Sequence, residues 1–94
     1  MTNVDITHDT EGSRYLAYRD GEQVGVLDYQ VNGDAIAFTY TGVPKQYEGQ
    51  GIAGQLVQQA MDDVRAGEAR KVVPACSYVD AWIRRHPEYH DLVT

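Results

Sequence analysis

The sequence of 94 residues contains one cysteine, Cys76. A single thiol excludes an internal disulfide, and a structural zinc centre lacks the soft ligands it needs. Cys76 is left to packing or to chemistry. Basic residues are also few, with eight Lys and Arg against fourteen Asp and Glu and a formal net charge of −6. They are scattered rather than gathered in a stripe, so nucleic acid is not an expected partner. Long apolar runs are missing, which leaves no segment able to span a bilayer. Met1-Thr2-Asn3-Val4-Asp5 has neither the basic start nor the apolar stretch of a secretion signal, and a cytoplasmic location is expected. There is no internal repeat and no low-complexity linker. With 43% hydrophobic and 23% charged residues, the chain fits one compact domain over residues 1–94. A domain this small buries roughly two-thirds of its surface, so a monomer or weak homodimer with little stability in reserve is expected.

What is present is strongly patterned. Between Ser13 and Val43 two dipeptides, Asp20-Gly21 and Asn32-Gly33, interrupt runs rich in Val, Ile, Tyr, Phe and Thr. Both suit the central positions of a type I′ turn, which predicts a three-stranded antiparallel meander. Leu27, Tyr29 and Val31 alternate with Asp28 and Gln30, and Ile36, Phe38 and Tyr40 alternate with Ala35, Ala37 and Thr39. One face of the sheet is therefore more apolar and asks for a helix. Val4 to His8 also alternates, which allows a fourth strand. After Pro44 the period changes. Ile52, Leu56, Ala60 and Val64 recur every four residues beside Ala53, Val57 and Met61, predicting an amphipathic helix that stops near Gly67. Lys71-Val72-Val73-Pro74 reads as a short strand ended by its proline. Tyr78, Val79, Trp82 and Ile83 mark a second helix, stopped by Pro87. The fold class is α+β: a three- to four-stranded antiparallel meander followed by helix, strand, helix.

The first helix opens on Glu48-Gly49-Gln50-Gly51-Ile52-Ala53-Gly54. First-turn amides lack intrahelical acceptors and carry the positive end of the helix dipole, and glycines let a phosphate come close. Gly49, Gly51 and Gly54 also satisfy the dinucleotide spacing Gly-x-Gly-x-x-Gly. That motif requires a parallel unit and an acidic residue closing the second strand. Here antiparallel hairpins precede the turn, and the next strand runs into Pro74-Ala75-Cys76.

The stretch from Val43 to Val57 instead resembles the coenzyme-A pyrophosphate loop of the GNAT superfamily of N-acetyltransferases. Two registers fit. One starts at Gln46 and pairs Gly49 with Gly51; the other starts at Glu48, pairs Gly51 with Ala53, and aligns Val43, Leu56 and Val57 with the family's apolar positions. The second is preferred, although Glu48 then replaces the customary Arg or Gln. The chain is similar to a compact branch of the superfamily with a Glu-Gly-x-Gly-Ile-Ala-Gly loop, a Pro-x-Cys segment and a C-terminal His-Pro-Glu-Tyr, here Glu48 to Gly54, Pro74 to Cys76 and His86 to Tyr89. Relative to full-length members, the two helices after the first strand and the two C-terminal strands are expected to be absent. The resemblance implies acetyl-CoA or coenzyme A as co-substrate, bound by Val43, Gly49, Gln50, Gly51, Ile52, Ala53 and Gly54, and an amine acceptor of unknown identity. It also implies that backbone amides around Thr41 to Val43 polarise the thioester carbonyl.

The tyrosine that often serves as general acid in this superfamily aligns with Arg85. Cys76 falls where the acyl group should arrive, so it reads either as a small buried residue or as a thiolate that accepts the acyl group, with His86 as its base. His86 reads equally as a C-terminal helix cap. Tyr78 and Tyr89 could each donate a proton but are expected to pack, as is Trp82, and His8 and His90 to lie on the surface without useful neighbours. Asp62, Asp63, Glu68, Asp80 and Glu88 read as solvated faces, with no metal site. An acyl-CoA-dependent N-acetyltransferase is the leading expectation. A non-catalytic domain that binds coenzyme A or a protein partner is the alternative.

Overall fold

Asp20 and Gly21 both adopt positive φ, 52° and 81°, the backbone of a type I′ turn whose twist suits paired strands. They join strand β2 (Arg14–Arg19) to β3 (Glu22–Asn32). At the next reversal the central pair is Gly33-Asp34 rather than Asn32-Gly33. Asn32 still pairs with Ala35, and only Gly33 has positive φ, 60°. That pattern is type II′, in which one glycine suffices. The computed structural model describes residues 4–67 and 70–93.

Strand β1 (Asp5–Asp9) is the expected fourth strand, and it pairs antiparallel with β2 through a connection too short for any helix. Strand β4 (Ala35–Gly42) completes the meander. Helix α1 (Ile52–Gly67) then crosses over to β5 (Lys71–Val73), which lies parallel to β4. The sheet therefore has five strands in the order β1-β2-β3-β4-β5, one more than the meander alone. Helix α2 (Ser77–Arg84) and a 3₁₀ segment, Pro87–Leu92, follow.

The apolar positions meet as their periods require. Tyr15, Ala17, Val24, Leu27, Tyr29, Ile36, Phe38 and Val72 from the sheet are buried with Ile52, Leu56, Val57, Ala60 and Met61 of α1. Val79, Trp82 and Ile83 of α2 and Tyr89 close the same cluster. Each such side chain contributes about 1.5–3 kcal/mol through removal from water, which is why the helices stay on this face.

One sequence expectation fails, and the failure builds the site. The pairing of β3 with β4 runs from Tyr29–Phe38 to Asp28–Tyr40, so Thr39 has no partner of its own. Such a bulge reverses the alternation beyond it. Ile36 and Phe38 are buried, but Tyr40 is 55% exposed instead of joining them. Thr41 and Val43 are half-buried in its place.

The C-terminal 3₁₀ segment is clamped onto α1. Arg65 donates to both carboxylate oxygens of Asp91 at 3.0 Å and to the Glu88 carbonyl at 2.7 Å. Tyr89 donates to Asp62 at 2.6 Å. Several residues expected to be solvated are thus partners: Asp62 serves Tyr89, Asp63 accepts from Tyr15 at 2.9 Å, and Asp80 pairs with Arg84 at 3.0 Å. Glu68 lies outside the described residues. His8 and His90 are exposed but not isolated. The His8 ring stacks on Tyr15 at 4.1 Å with Nε2 2.6 Å from the Tyr29 hydroxyl, and His90 Nε2–H donates to the Ile83 carbonyl at 2.9 Å.

Candidate functional site

Strand β5 pairs with only the first part of β4, from Ala35–Lys71 to Ala37–Val73. One further backbone bond, from the Cys76 amide to the Phe38 carbonyl at 2.8 Å, continues that edge. Beyond it, no strand among the described residues pairs with the outer side of β4. A cleft of about 470 Å³ opens there. Tyr40, Thr41, Gly42 and Val43 line one wall, Tyr47, Glu48, Gly49 and Gly51 the rim, and Ile52, Ala53 and Tyr78 the other wall.

The rim is held by its backbone and by one anchored aromatic residue. Gly49 and Gly51 have φ of +81° and +79°, a region that costs other residues roughly 1–2 kcal/mol. A Cβ added at either would meet nothing within 4 Å, so both glycines face open space. Tyr47 donates to Glu22 at 2.9 Å, which ties the rim to the start of β3. The Gln55 amide bonds the Gly51 carbonyl at 3.1 Å. The amides of Ile52, Ala53 and Gly54 therefore precede the first intrahelical donor and have no acceptor within the helix. No carboxylate lies in the first turn of α1, and among the described lining residues none is basic and only Glu48 is acidic. An anion here would be held by amides and dipole alone.

Five of the residues expected to bind the co-substrate, Val43, Gly49, Gly51, Ile52 and Ala53, line this cleft; Gln50 and Gly54 do not. Gly54 faces α2, where an added Cβ would lie 3.6 Å from Trp82 Nε1 and 3.7 Å from the Tyr78 hydroxyl. Its smallness serves helix packing. Leu56 and Val57, the apolar pair of the preferred register, are fully buried.

Cys76 is the N-cap residue of α2, with extended backbone (φ −83°, ψ 131°). Its Sγ lies 3.4 Å from the Thr41 hydroxyl oxygen. Partial burial pushes the thiol up, but the Thr41 hydroxyl and the amides of Val79, Tyr78 and Thr41 outweigh it, and the net shift is downward. The thiolate is the nucleophilic form, and these groups favour it, while the same side chain is half-buried against the core cluster.

His86 is not part of this arrangement. Cys76 precedes α2 and His86 follows it, and eight residues of helix separate their backbones by about 12 Å along the axis. The His86 Nδ1–H donates to the Trp82 carbonyl at 2.6 Å, and the ring stacks on Trp82 at 3.8 Å. The expectation that His86 is the base for Cys76 is corrected: it is held as a cap on its own helix end. Arg85 is exposed at the C-cap of α2 and does not line the cleft. Tyr78 packs against the core cluster, as expected, and also lines the cleft; sequence reasoning missed the Thr41 side chain, which reaches the cleft only because of the bulge at Thr39. The available signal for Tyr78 was its place two residues after Cys76, in the first turn of α2.

A sequence model of the GCN5-related N-acetyl-transferase family matches residues 14–92. The chain belongs to that family. This acetyltransferase-family chain is also similar in fold to several solved acetyltransferases. The Escherichia coli ribosomal-protein-S18-alanine N-acetyltransferase superposes with a TM-score of 0.64 at 17% identity, over 77% of this chain and 49% of that one. The ribosomal-protein-alanine N-acetyltransferase of Brucella melitensis gives 0.61 at 20% identity, over 80% and 58%. A Bacillus anthracis protein described as a streptothricin acetyltransferase, solved in complex with acetyl coenzyme A, gives 0.55 at 20% identity, over 63% and 34%. The GNAT chain thus spans about half the length of the first of these. No curated protein matches its sequence.

Proposed function

We propose that the chain is an acyl-CoA-dependent acyltransferase, transferring an acetyl group to an amine. One observation carries this reading: a single cleft joins the free amides of a helix N-terminus to an unpaired strand edge, with a thiol held against that edge by Thr41. Coenzyme A needs an anion site for its pyrophosphate and an extended backbone to track its pantetheine arm. In this reading Gly49 to Gly54 supply the first, with Gln50 and Gly54 acting through their backbone. Thr41 to Val43 supply the second. The Bacillus anthracis relative in fold, with acetyl coenzyme A bound, supports the choice of ligand.

The Cys76 thiolate would attack the thioester carbonyl. A bond forms between Sγ and the acyl carbon, and the carbon–sulfur bond to coenzyme A breaks, its electron pair leaving on the coenzyme sulfur, which then takes a proton. The amine next attacks the acyl-cysteine, loses a proton to water and releases Cys76 as thiolate. One thioester replaces another in the first step, so the enzyme's task is positioning and stabilisation of the oxyanion.

Titration with coenzyme A and acetyl-CoA by calorimetry and thermal shift tests the reading, because a ligand that binds only the folded chain must raise its stability. No response at millimolar ligand overturns it. Intact mass spectrometry after incubation with acetyl-CoA should then show one acetyl group on Cys76. A second reading, a domain that binds coenzyme A without transfer, is favoured by Glu48 at the rim and by Arg85 in the position of the usual tyrosine. It predicts binding with no acylated species.

A further inference from the structure

We propose that Thr41 is the positioning residue for Cys76, holding the thiol directly behind the cleft wall that Thr41 itself lines. This deepens the covalent reading and rests on it. The bulge at Thr39 turns Thr41 out of the alternation that buries Ile36 and Phe38, and its hydroxyl oxygen ends 3.4 Å from Sγ. Without the extra residue, Tyr40 would take the inward place and the thiol would face a ring carbon edge instead of a donor. From the other side, the Cys76 amide is fixed on the Phe38 carbonyl at 2.8 Å. Cys76 is thus tied at backbone and side chain to the same strand, one residue before the bulge and two after it.

A threonine suits the role because its β-branch restricts χ1 on a strand, and its hydroxyl can donate to a thiolate while accepting elsewhere. Titratable side chains on the surrounding elements are Tyr40 from β4, Tyr47 and Glu48 from the rim, Lys71 from β5, Tyr78, Asp80 and Arg84 from α2, and Arg85 at its C-cap. None of them appears among the causes that move the thiol, which are burial, the Thr41 hydroxyl and nearby amides. Asp80, the nearest carboxylate in sequence, is paired with Arg84 at 3.0 Å. The Thr41 hydroxyl is the one side chain that lowers the thiol.

Because Cys76 is the only cysteine, alkylation by iodoacetamide, followed by intact mass spectrometry across pH 5–10, reads this thiol alone. Wild type should react with a midpoint below that of an ordinary cysteine. Thr41→Val keeps the β-branch and removes the donor; its midpoint should rise and its rate at pH 7 fall roughly three- to tenfold. Thr41→Ser should restore the wild-type profile, a rescue that a merely space-filling role would not give. A Thr41→Val profile that superimposes on wild type, with an unchanged melting temperature, overturns the proposal. If Thr41→Val does not fold, Thr41→Ala against Thr41→Ser makes the same comparison, and equal midpoints for those two overturn it. The covalent reading fails separately: full transfer by Cys76→Ala would end it, while the dependence of alkylation on Thr41 would stand.

Discussion

The amide of Cys76 donates to the carbonyl of Phe38 across 2.8 Å, and at that bond β4 loses its neighbour. Everything proposed for the cleft lies on the open side of it. Cys76 is where the chain leaves the sheet and α2 begins, and its half-buried side chain packs against the edge of the core beside Thr41, a residue of the cleft wall.

Replacing Cys76 by Ala should leave coenzyme-A affinity within about twofold and reduce acetyl transfer by roughly a hundredfold or more, a range expected for loss of a nucleophile. The pH dependence has a definite sign. Deprotonation creates the reactive form, and the thiol is shifted downward, so acyl-enzyme formation should rise with pH through a midpoint below the usual cysteine value and level off above it. Stopped-flow acylation by acetyl-CoA, quenched at a series of pH values, measures this.

Gly51→Ala and Gly54→Ala should behave oppositely. At Gly51 the positive φ makes alanine cost about 1–2 kcal/mol of stability, and the methyl group enters the space assigned to the pyrophosphate; affinity for coenzyme A should fall about tenfold. At Gly54 the added Cβ meets only ordinary contacts, 3.6 Å and 3.7 Å away, and alanine is the better helix former. Stability there should hold or rise with binding retained. Calorimetry and urea melts on both variants decide the matter, and equal loss of binding in the two would sink the distinction.

Glu48 is the only charged side chain among the described lining residues of the cleft. Glu48→Gln should strengthen coenzyme-A binding roughly two- to fivefold and Glu48→Arg more so. Both gains should shrink between 50 mM and 500 mM salt as screening grows. Affinity unchanged in both variants at low salt would place the carboxylate away from the phosphates.

Tyr15 carries a prediction about alkaline stability. Its phenol is buried and donates to Asp63 at 2.9 Å. Burial first, then the bond to Asp63 and its charge, hold the Tyr15 proton far above its ordinary range. The unfolded chain releases this proton near pH 10 while the folded chain keeps it, so the unfolded state binds fewer protons and stability falls as pH rises past 10. The slope contributed is at most about 1.4 kcal/mol per pH unit. Tyr15→Phe should lose about 1 kcal/mol at pH 7 yet flatten the decline from pH 10 to 11.5, read from urea midpoints.

The sequence by itself determined the elements and the rim of the cleft. Asp20-Gly21, the four-residue recurrence from Ile52 to Val64, and Pro74 and Pro87 act within a few residues of themselves, so their effects can be read locally. The glycine turn is legible for the same reason: φ at Gly49 and Gly51 and the free amides after them are properties of a short stretch of backbone. Tertiary structure alone decided which side chains the cleft receives. The unpaired Thr39 exists only against β3, and it moved Tyr40 out and Thr41 in. Parallel pairing of β5, ending at Ala37, set where the edge opens. The length of α2 put His86 beyond reach of Cys76, although both stood in motifs that looked functional. Distances between elements come from pairing and packing across the chain, which no local pattern of residues encodes.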